Sequence, residues 1–279
     1  MLKFLKSGFY TTLQDFGRFG YRNIGVPVSG VMDEVSVKKA NVLLENREED
    51  AVLEITMTGP TLLFESPTYI CLSGAHMSPT LNNEPIENYK VIKVESGDIL
   101  SYGKLESGFR AYLAVKGGFR GNRILGSHSQ YYPVTPKKCF KDADEVPYSP
   151  IKHYESIISE LKLEDHLKKL NVDVFKGPEF SILTDAHLEL LFSKVFTISK
   201  ENNRMAYQLT EEIGTHSHSI VTSGTLPGTV QLTPAGRLII LMKDGQTTGG
   251  YPRVLQLSDK SISILAQKKF GDMVSFKLV

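Results

Sequence analysis

The stretch Asp244-Gly-Gln-Thr-Thr-Gly-Gly-Tyr-Pro252 is the most unusual local sequence in the chain. Gly245, Gly249 and Gly250 let a backbone approach a ligand closely or adopt positive φ. Gln246, Thr247 and Thr248 bring hydrogen-bond donors and acceptors to the same loop, beside the Tyr251 ring. Asp244 can orient a donor or act as a general base. The plainer alternative is a tight hairpin whose threonines cap their own backbone.

A second candidate runs Gln14-Asp-Phe-Gly-Arg-Phe-Gly-Tyr21 and on to Gly25-Val-Pro-Val-Ser-Gly-Val-Met-Asp33. Arg18 offers a planar fork suited to a carboxylate or phosphate, with Tyr21 beside it. Ser29 and Gly30 make a turn ahead of a helix capped by Asp33, and helix N-termini attract anions. The competing reading pairs Arg18 with Asp15 as structure and leaves Asp33 a cap. Further along, Arg204 takes the place matching Arg18, and Ser223-Gly224 repeats a small polar turn. Gln231 sits among apolar strand neighbours, half-buried or facing a cleft.

Sharper motifs fail. Gly97 to Gly103-Lys104 has the wrong spacing for a phosphate-binding loop, and Leu105 stands where Ser or Thr is needed. No GxGxxG opens a helix after a strand. His216-Ser-His218 lacks a third metal ligand nearby, so no metal is expected. His128 between Ser127 and Ser129 lacks the nucleophile-elbow context of a serine hydrolase.

The elements that must hold these residues are mostly short strands. Thr61–Phe64, Tyr69–Leu72, Val91–Val94, Ala111–Val115, Val172–Phe175, Ile220–Val221, Val230–Leu232 and Leu238–Met242 are cut by Gly, Pro, Asn and Asp turns. Three helices are expected. One runs from Asp33 to Asn46, one over about 154–170, and one starts at Thr184 and covers Ala186 to Phe192. The fold class is therefore mainly β: antiparallel barrels with a few helices.

The 279 residues suggest two domains. The 32 basic and 31 acidic residues leave a net charge of +1, which excludes a nucleic-acid footprint. Two cysteines, Cys71 and Cys139, read as reduced thiols. No apolar run reaches membrane-spanning length and the N-terminus has no signal-peptide core, so a cytoplasmic protein is expected.

Four short patterns recur in one order: F-(x)-T, R-x-[GA]-Y, [VT]-S-G and G-D-x-[LV]-S-[YF]. They occur at Phe9, Arg18, Val28 and Gly97, then at Phe196, Arg204, Thr222 and Gly271. Internal duplication is the expected cause. It predicts two barrel halves, 1–105 and 106–279, packed as a pseudo-dimer around a cleft, with a linker or insertion at about 131–172.

At these motifs the chain resembles the KipA-like proteins, also called the 5-oxoprolinase C-subunit, allophanate hydrolase subunit 2 or the biotin-dependent carboxyltransferase family. TTLQDFGRFGYRNIGVPVSGVMD at 11–33, AYLAVKGG at 111–118 and LGSHSQYY at 125–132 carry the likeness. So do NRMAYQL at 203–209, PGTVQLTPAG at 227–236, DGQTTGGYP at 244–252 and LAQKKFGD at 265–272. His128, Ala206, Gln208 and Thr233 depart from the family pattern, and 133–172 matches poorly.

The resemblance implies a pair of cyclophilin-like β-barrels and a complex with two other proteins, a KipI-like B-subunit plus an A-subunit. That complex would cleave 5-oxoproline to L-glutamate with ATP as co-substrate. Arg18 or Arg204 would bind an anion. The amides of Gly249 and Gly250, with Thr247 and Thr248, would cradle the reacting group, and Asp244 would act as base or positioner. On that reading Asp244→Ala abolishes turnover and leaves folding intact. Two alternatives accompany it. One is biotin-dependent carboxyl transfer to urea or a similar amide, with no covalent biotin on this chain. The other is a non-catalytic antagonist of a KipI-like kinase inhibitor. Homo-oligomerisation is left open.

Overall fold

The computed structural model describes residues 1–158 and 166–279. Contacts divide the chain into two units. The first comprises 1–18 and 29–167, the second 19–28 and 168–279.

The first unit holds two antiparallel sheets. One orders Glu145–Val146, Leu2–Lys6, Thr61–Phe64, Ile99–Tyr102, Pro79–Leu81 and Glu84–Pro85. The other orders Tyr10–Gln14, Val52–Thr56, Ser107–Val115, Thr68–His76 and Ile92–Val94. Strand alternation explains their packing. Ala111, Leu113 and Val115 join the core with Leu2, Phe4, Leu62 and Phe64. Tyr112 and Ala114 point the other way, into a second cluster with Val37, Ala40, Leu43 and Leu44. The helix supplying those residues, α1 (Glu34–Leu43), is capped by Asp33, whose side chain accepts the Ser36 N–H at 3.0 Å. It stops at Leu43 rather than Asn46, because Glu45 turns left-handed with φ 49°.

The second unit is a closed barrel. Around it run Asn171–Lys176, Arg253–Leu257, Thr229–Leu232, Arg237–Leu241, Ala206–Glu212, Phe196–Asn202 and Met273–Leu278, which returns to the first strand. That closing pair is parallel and the others are antiparallel. Closure leaves no open edge. Val172, Val174, Phe196, Ile198, Tyr207 and Leu209 alternate inward and are fully buried. A two-stranded ribbon, Ser223–Gly224 with Thr248–Gly249, forms a separate small sheet. Thr184 caps α2 (Asp185–Ser193) as expected. A further helix, α3 (Asp259–Ala266), has no counterpart among the expected elements. Its residues Ser261 to Ala266 are all buried, so no polar face marks it. No helix among the described residues is long and apolar enough to cross a membrane.

Several expectations need correction. The strand Ser107–Val115, expected in the second half, lies between Val52–Thr56 and Thr68–His76 in the first unit. The boundary therefore falls near residue 167, not 105. Part of 131–172 belongs to the first unit's core, through Phe140, Val146 and Tyr148. Phe140 stacks on Phe4 with ring centroids 4.6 Å apart, and Glu145–Val146 pairs with Leu2–Lys3. Of the helix expected at 154–170, residues 154–158 and 166–170 are non-helical, and the rest lies outside the described residues. Ile220–Val221 forms no strand.

The repeated sequence patterns coincide in structure at one element. Gly97 N–H donates to Phe64 O at 2.7 Å and Phe64 N–H donates to Asp98 O at 2.9 Å. Gly271 N–H donates to Ile198 O at 3.0 Å and Ile198 N–H to Asp272 O at 2.8 Å. The Asp98 and Asp272 side chains accept the N–H three residues back, from Glu95 and Lys269. The R-x-[GA]-Y pairs are not equivalent. Tyr207 lies inside the barrel, whereas Tyr21 heads a short 3-10 turn. The S-G pairs differ too: Ser29 and Gly30 both have positive φ, and Ser223–Gly224 is extended.

Candidate functional site

In the second unit the Gly-Thr loop leaves the barrel at Leu241 and returns at Arg253. Its first residue is fixed at once. Arg204 Nε donates to Asp244 Oδ2 at 2.8 Å and Arg204 Nη2 to Asp244 Oδ1 at 3.0 Å. The Asp244 N–H donates back to Arg204 O at 2.9 Å. Both side chains are almost buried, at 7% and 11% exposure. The expected anion binder and the expected base thus occupy each other. A guanidinium chelating both carboxylate oxygens leaves a poor proton acceptor and no fork for a ligand.

Beyond Asp244 the ribbon is held by its backbone. Thr225 N–H donates to Thr247 O at 3.0 Å, and Thr225 Oγ1 donates to Gln246 O at 2.5 Å. Gly249 is required by close approach: a Cβ there would stand 2.4 Å from Gln231 Nε2 and 2.8 Å from Gln246 Nε2. Gln231 is buried, so its expected cleft-facing role becomes support beneath Gly249. Gln246, Thr248, Gly250 and Tyr251 are exposed, and Thr247 is half-buried.

Two further arginines grip the ribbon. Arg253 pairs with Glu179 through Nε and Nη2 at 2.9 and 2.7 Å, and its Nη1 donates to Gly224 O at 2.5 Å. The Arg253 hydrogen bond, more than burial, holds the Glu179 carboxyl below its ordinary value. Arg22 Nη2 donates to Thr225 O and, at 3.5 Å, to Thr247 O. Burial pushes the Arg22 guanidinium below its usual value. Among the described residues Arg22 has no carboxylate partner, and its Nε and Nη1 make no hydrogen bond. Sequence reasoning singles out Arg18 in this segment and passes over Arg22. The signal for Arg22 is tertiary, because Thr225 is 203 residues away in the chain.

Arg18 belongs to the first unit and is 1% exposed. Its Nη2 donates to Ser129 O and its Nε to Ile124 O at 3.5 Å. Asp15 beside it accepts from Ser127 Oγ at 2.5 Å, Ser129 Oγ at 2.7 Å, His128 N at 2.7 Å and Gly17 N at 2.8 Å. Arg18 and Asp15 together staple the 124–129 loop, which favours the structural reading of Arg18. Ser29 is fully buried with φ 58°. Asp33, besides capping α1, accepts from Ser36 Oγ at 2.6 Å and lies 2.8 Å from His166 Nε2. Burial first, then the Glu54 and Asp33 charges, raise the Tyr112 hydroxyl well above its ordinary value. Its oxygen donates to Glu54 at 3.0 Å and accepts from Asp33 N–H at 2.9 Å. The Cys71 thiol is pushed up to about 12 by burial, which rules it out as a nucleophile.

The family model for the carboxyltransferase domain, subdomains A and B, matches residues 24–278. The chain belongs to that family. It is 31% identical to the 5-oxoprolinase C-subunit of Escherichia coli (strain K12), over 99% of this chain and 90% of that protein. It is 30% identical to urea amidolyase of Lachancea kluyveri, covering 96% of this chain and only 16% of that protein. The crystal structure of the K. lactis urea amidolyase superposes with a TM-score of 0.82 at 30% identity, covering 99% of this chain and 18% of that one. The match thus spans most of one relative's chain and only a small part of a much larger enzyme.

Proposed function

We propose that this chain is the C-subunit of an ATP-dependent 5-oxoprolinase, working with two other proteins, a KipI-like B-subunit plus an A-subunit. The carrying observation is the near full-length likeness to a protein named as that component of 5-oxoprolinase. The chemistry sets what such an assembly needs. A five-membered lactam is an unstrained amide that water attacks slowly, and phosphorylating its carbonyl oxygen makes it a better electrophile. ATP is the co-substrate that supplies the phosphoryl group. The protein must then hold a carboxylate or phosphoryl group and stabilise a developing oxyanion.

Arg22 is the residue best placed for the anion. It is fixed at one nitrogen by two carbonyls and keeps two nitrogens for a ligand. The exposed Thr248 and Gly250 present a hydroxyl and an amide on the same ribbon. Arg204 and Asp244 act as positioning residues that hold the loop's first turn. Both cysteines are free thiols, which accords with a cytoplasmic setting.

A second reading rests on the urea amidolyase alignments: carboxyl transfer from a biotin carrier to urea or a similar amide. No biotin-attachment segment is identified in this sequence, so the carrier would lie outside these 279 residues. Purification with the partner proteins decides between the two. ATP-dependent release of glutamate from 5-oxoproline supports the first reading. Biotin-dependent carboxylation of urea without glutamate release replaces it with the second.

A further inference from the structure

We propose that the first unit carries a binding pocket for a free α-amino acid, with Arg120 taking its carboxylate and Glu145 its ammonium group. A cavity of about 450 Å³ lies within that unit, walled by Leu13, Ile124, Phe140 and Val146 and edged by Arg120, His128 and Glu145. A space of this size suits a small metabolite, and apolar walls with a few convergent polar groups are the usual build of such sites.

The main chain brings the two residues close enough for their side chains to meet one small ligand. Arg120 N–H donates to Pro147 O at 2.7 Å, so Arg120 lies beside residue 147. Glu145 is two residues earlier in the neighbouring segment, and two residues of extended chain span about 7 Å. An ammonium and a carboxylate on one carbon, with a charge-assisted contact of about 2.8 Å at each end, bridge such a gap.

Neither Arg120 nor Glu145 makes an ion pair among the described residues. Two opposite charges on one rim that leave each other unneutralised are what a zwitterion requires. The other cation on the rim, Lys137, is already paired with Asp144. A simple anion would meet Arg120 but also face Glu145, and a simple cation would face Arg120, so either single charge is disfavoured. The site offers a further group. His128 Nδ1 is buried with no hydrogen-bond partner among the described residues. A ligand atom that meets it removes the cost of leaving it unsatisfied. Leu13, Ile124, Phe140 and Val146 then receive an aliphatic side chain. The inference is independent of the proposed activity, since it concerns other residues in the other unit and is read by binding alone.

The test is isothermal titration of the full chain with L-alanine, L-leucine and L-glutamate, alongside propionate and ethylamine as half-ligands. The expected result is saturable binding of at least one amino acid and none of either half-ligand. Arg120→Gln and Glu145→Gln should each weaken that binding by about tenfold or more without moving the melting curve. Absence of saturation by any amino acid at millimolar concentration overturns the proposal. So does propionate or ethylamine binding as tightly as alanine, or wild-type affinity in both variants.

Discussion

Arg204 and Asp244 form a bidentate ion pair at 2.8 and 3.0 Å, with both side chains nearly buried. The pair ties the strand Ala206–Glu212 to the start of the Gly-Thr loop and removes Asp244 from consideration as a free base. Removing either partner strands the other charge away from water. Asp244→Ala should therefore destabilise the protein by about 3 kcal/mol. Denaturant titration of Asp244→Ala, Arg204→Ala and the double variant measures this. A coupling energy of about 1 kcal/mol or more is expected. Additive effects, or a fully stable Asp244→Ala with lost turnover, would return Asp244 to the role of base.

Arg22 should behave differently, because its contacts are to carbonyls and no carboxylate depends on it. In the assembled complex, Arg22→Gln should lower kcat/KM for 5-oxoproline by about 10- to 100-fold, in line with loss of one charge-assisted anion contact. Melting temperature should fall only slightly. Arg22→Lys should restore less than half of the lost free energy, since an ammonium cannot reproduce the fork. Unchanged kinetics in Arg22→Gln would remove Arg22 from the site.

The Gly-Asp turn that repeats at 97–98 and 271–272 occurs a third time at Ala143-Asp144. Ala143 N–H donates to Phe4 O at 2.8 Å, Phe4 N–H donates to Asp144 O at 2.9 Å, and Asp144 Oδ2 accepts Lys141 N–H at 2.8 Å. Here the left-handed position, glycine in the other two turns, is Ala143 with φ 65°. A Cβ in that region is strained, so Ala143→Gly should stabilise the protein by about 0.5 to 1 kcal/mol. The gain is net of glycine's larger unfolded-state entropy. A rise in the urea midpoint at unchanged slope would show it, and a fall would mean that entropy outweighs strain.

How much of this is legible in the sequence depends on the range of the interaction. Helix starts at Asp33 and Thr184 are readable because a cap is set within four residues. Strands such as Thr61–Phe64 and Asn171–Lys176 are readable from turns and β-formers. The unit boundary is not, because it turns on Ser107–Val115 pairing with segments about thirty to sixty residues earlier. The helix α3 is hidden because Ser261 to Ala266 are all buried, and Ile262 and Ile264 alternate with serines as a strand would. In the candidate site the Gly-Thr loop stands out by composition. Of its arginine partners, Arg204 is marked by the repeated pattern, whereas Arg22 and Arg253 are not, since nothing local distinguishes them from Arg18.

The Glu179–Arg253 pair sets an acid limit on the ribbon. The Arg253 hydrogen bond lowers the Glu179 carboxyl from its ordinary 4.5, so the folded state holds the charged form more strongly than the unfolded chain does. A lowered folded value contributes stability that is complete above the unfolded value and disappears as pH falls through the folded one. Above about 4.5 the pair's contribution should be flat, and below it the contribution should shrink. Glu106, Asp144, Glu201 and Glu211 are lowered too and tilt the same limb, so the wild-type curve alone cannot isolate Glu179. The difference between wild type and Glu179→Gln can. It should be constant from neutral pH to about 5 and narrow steadily below that. Because this pair is partly exposed, the difference should also shrink in high salt. A gap that widens as pH falls would reverse the sign and show that Arg253 does not favour the ionised carboxylate.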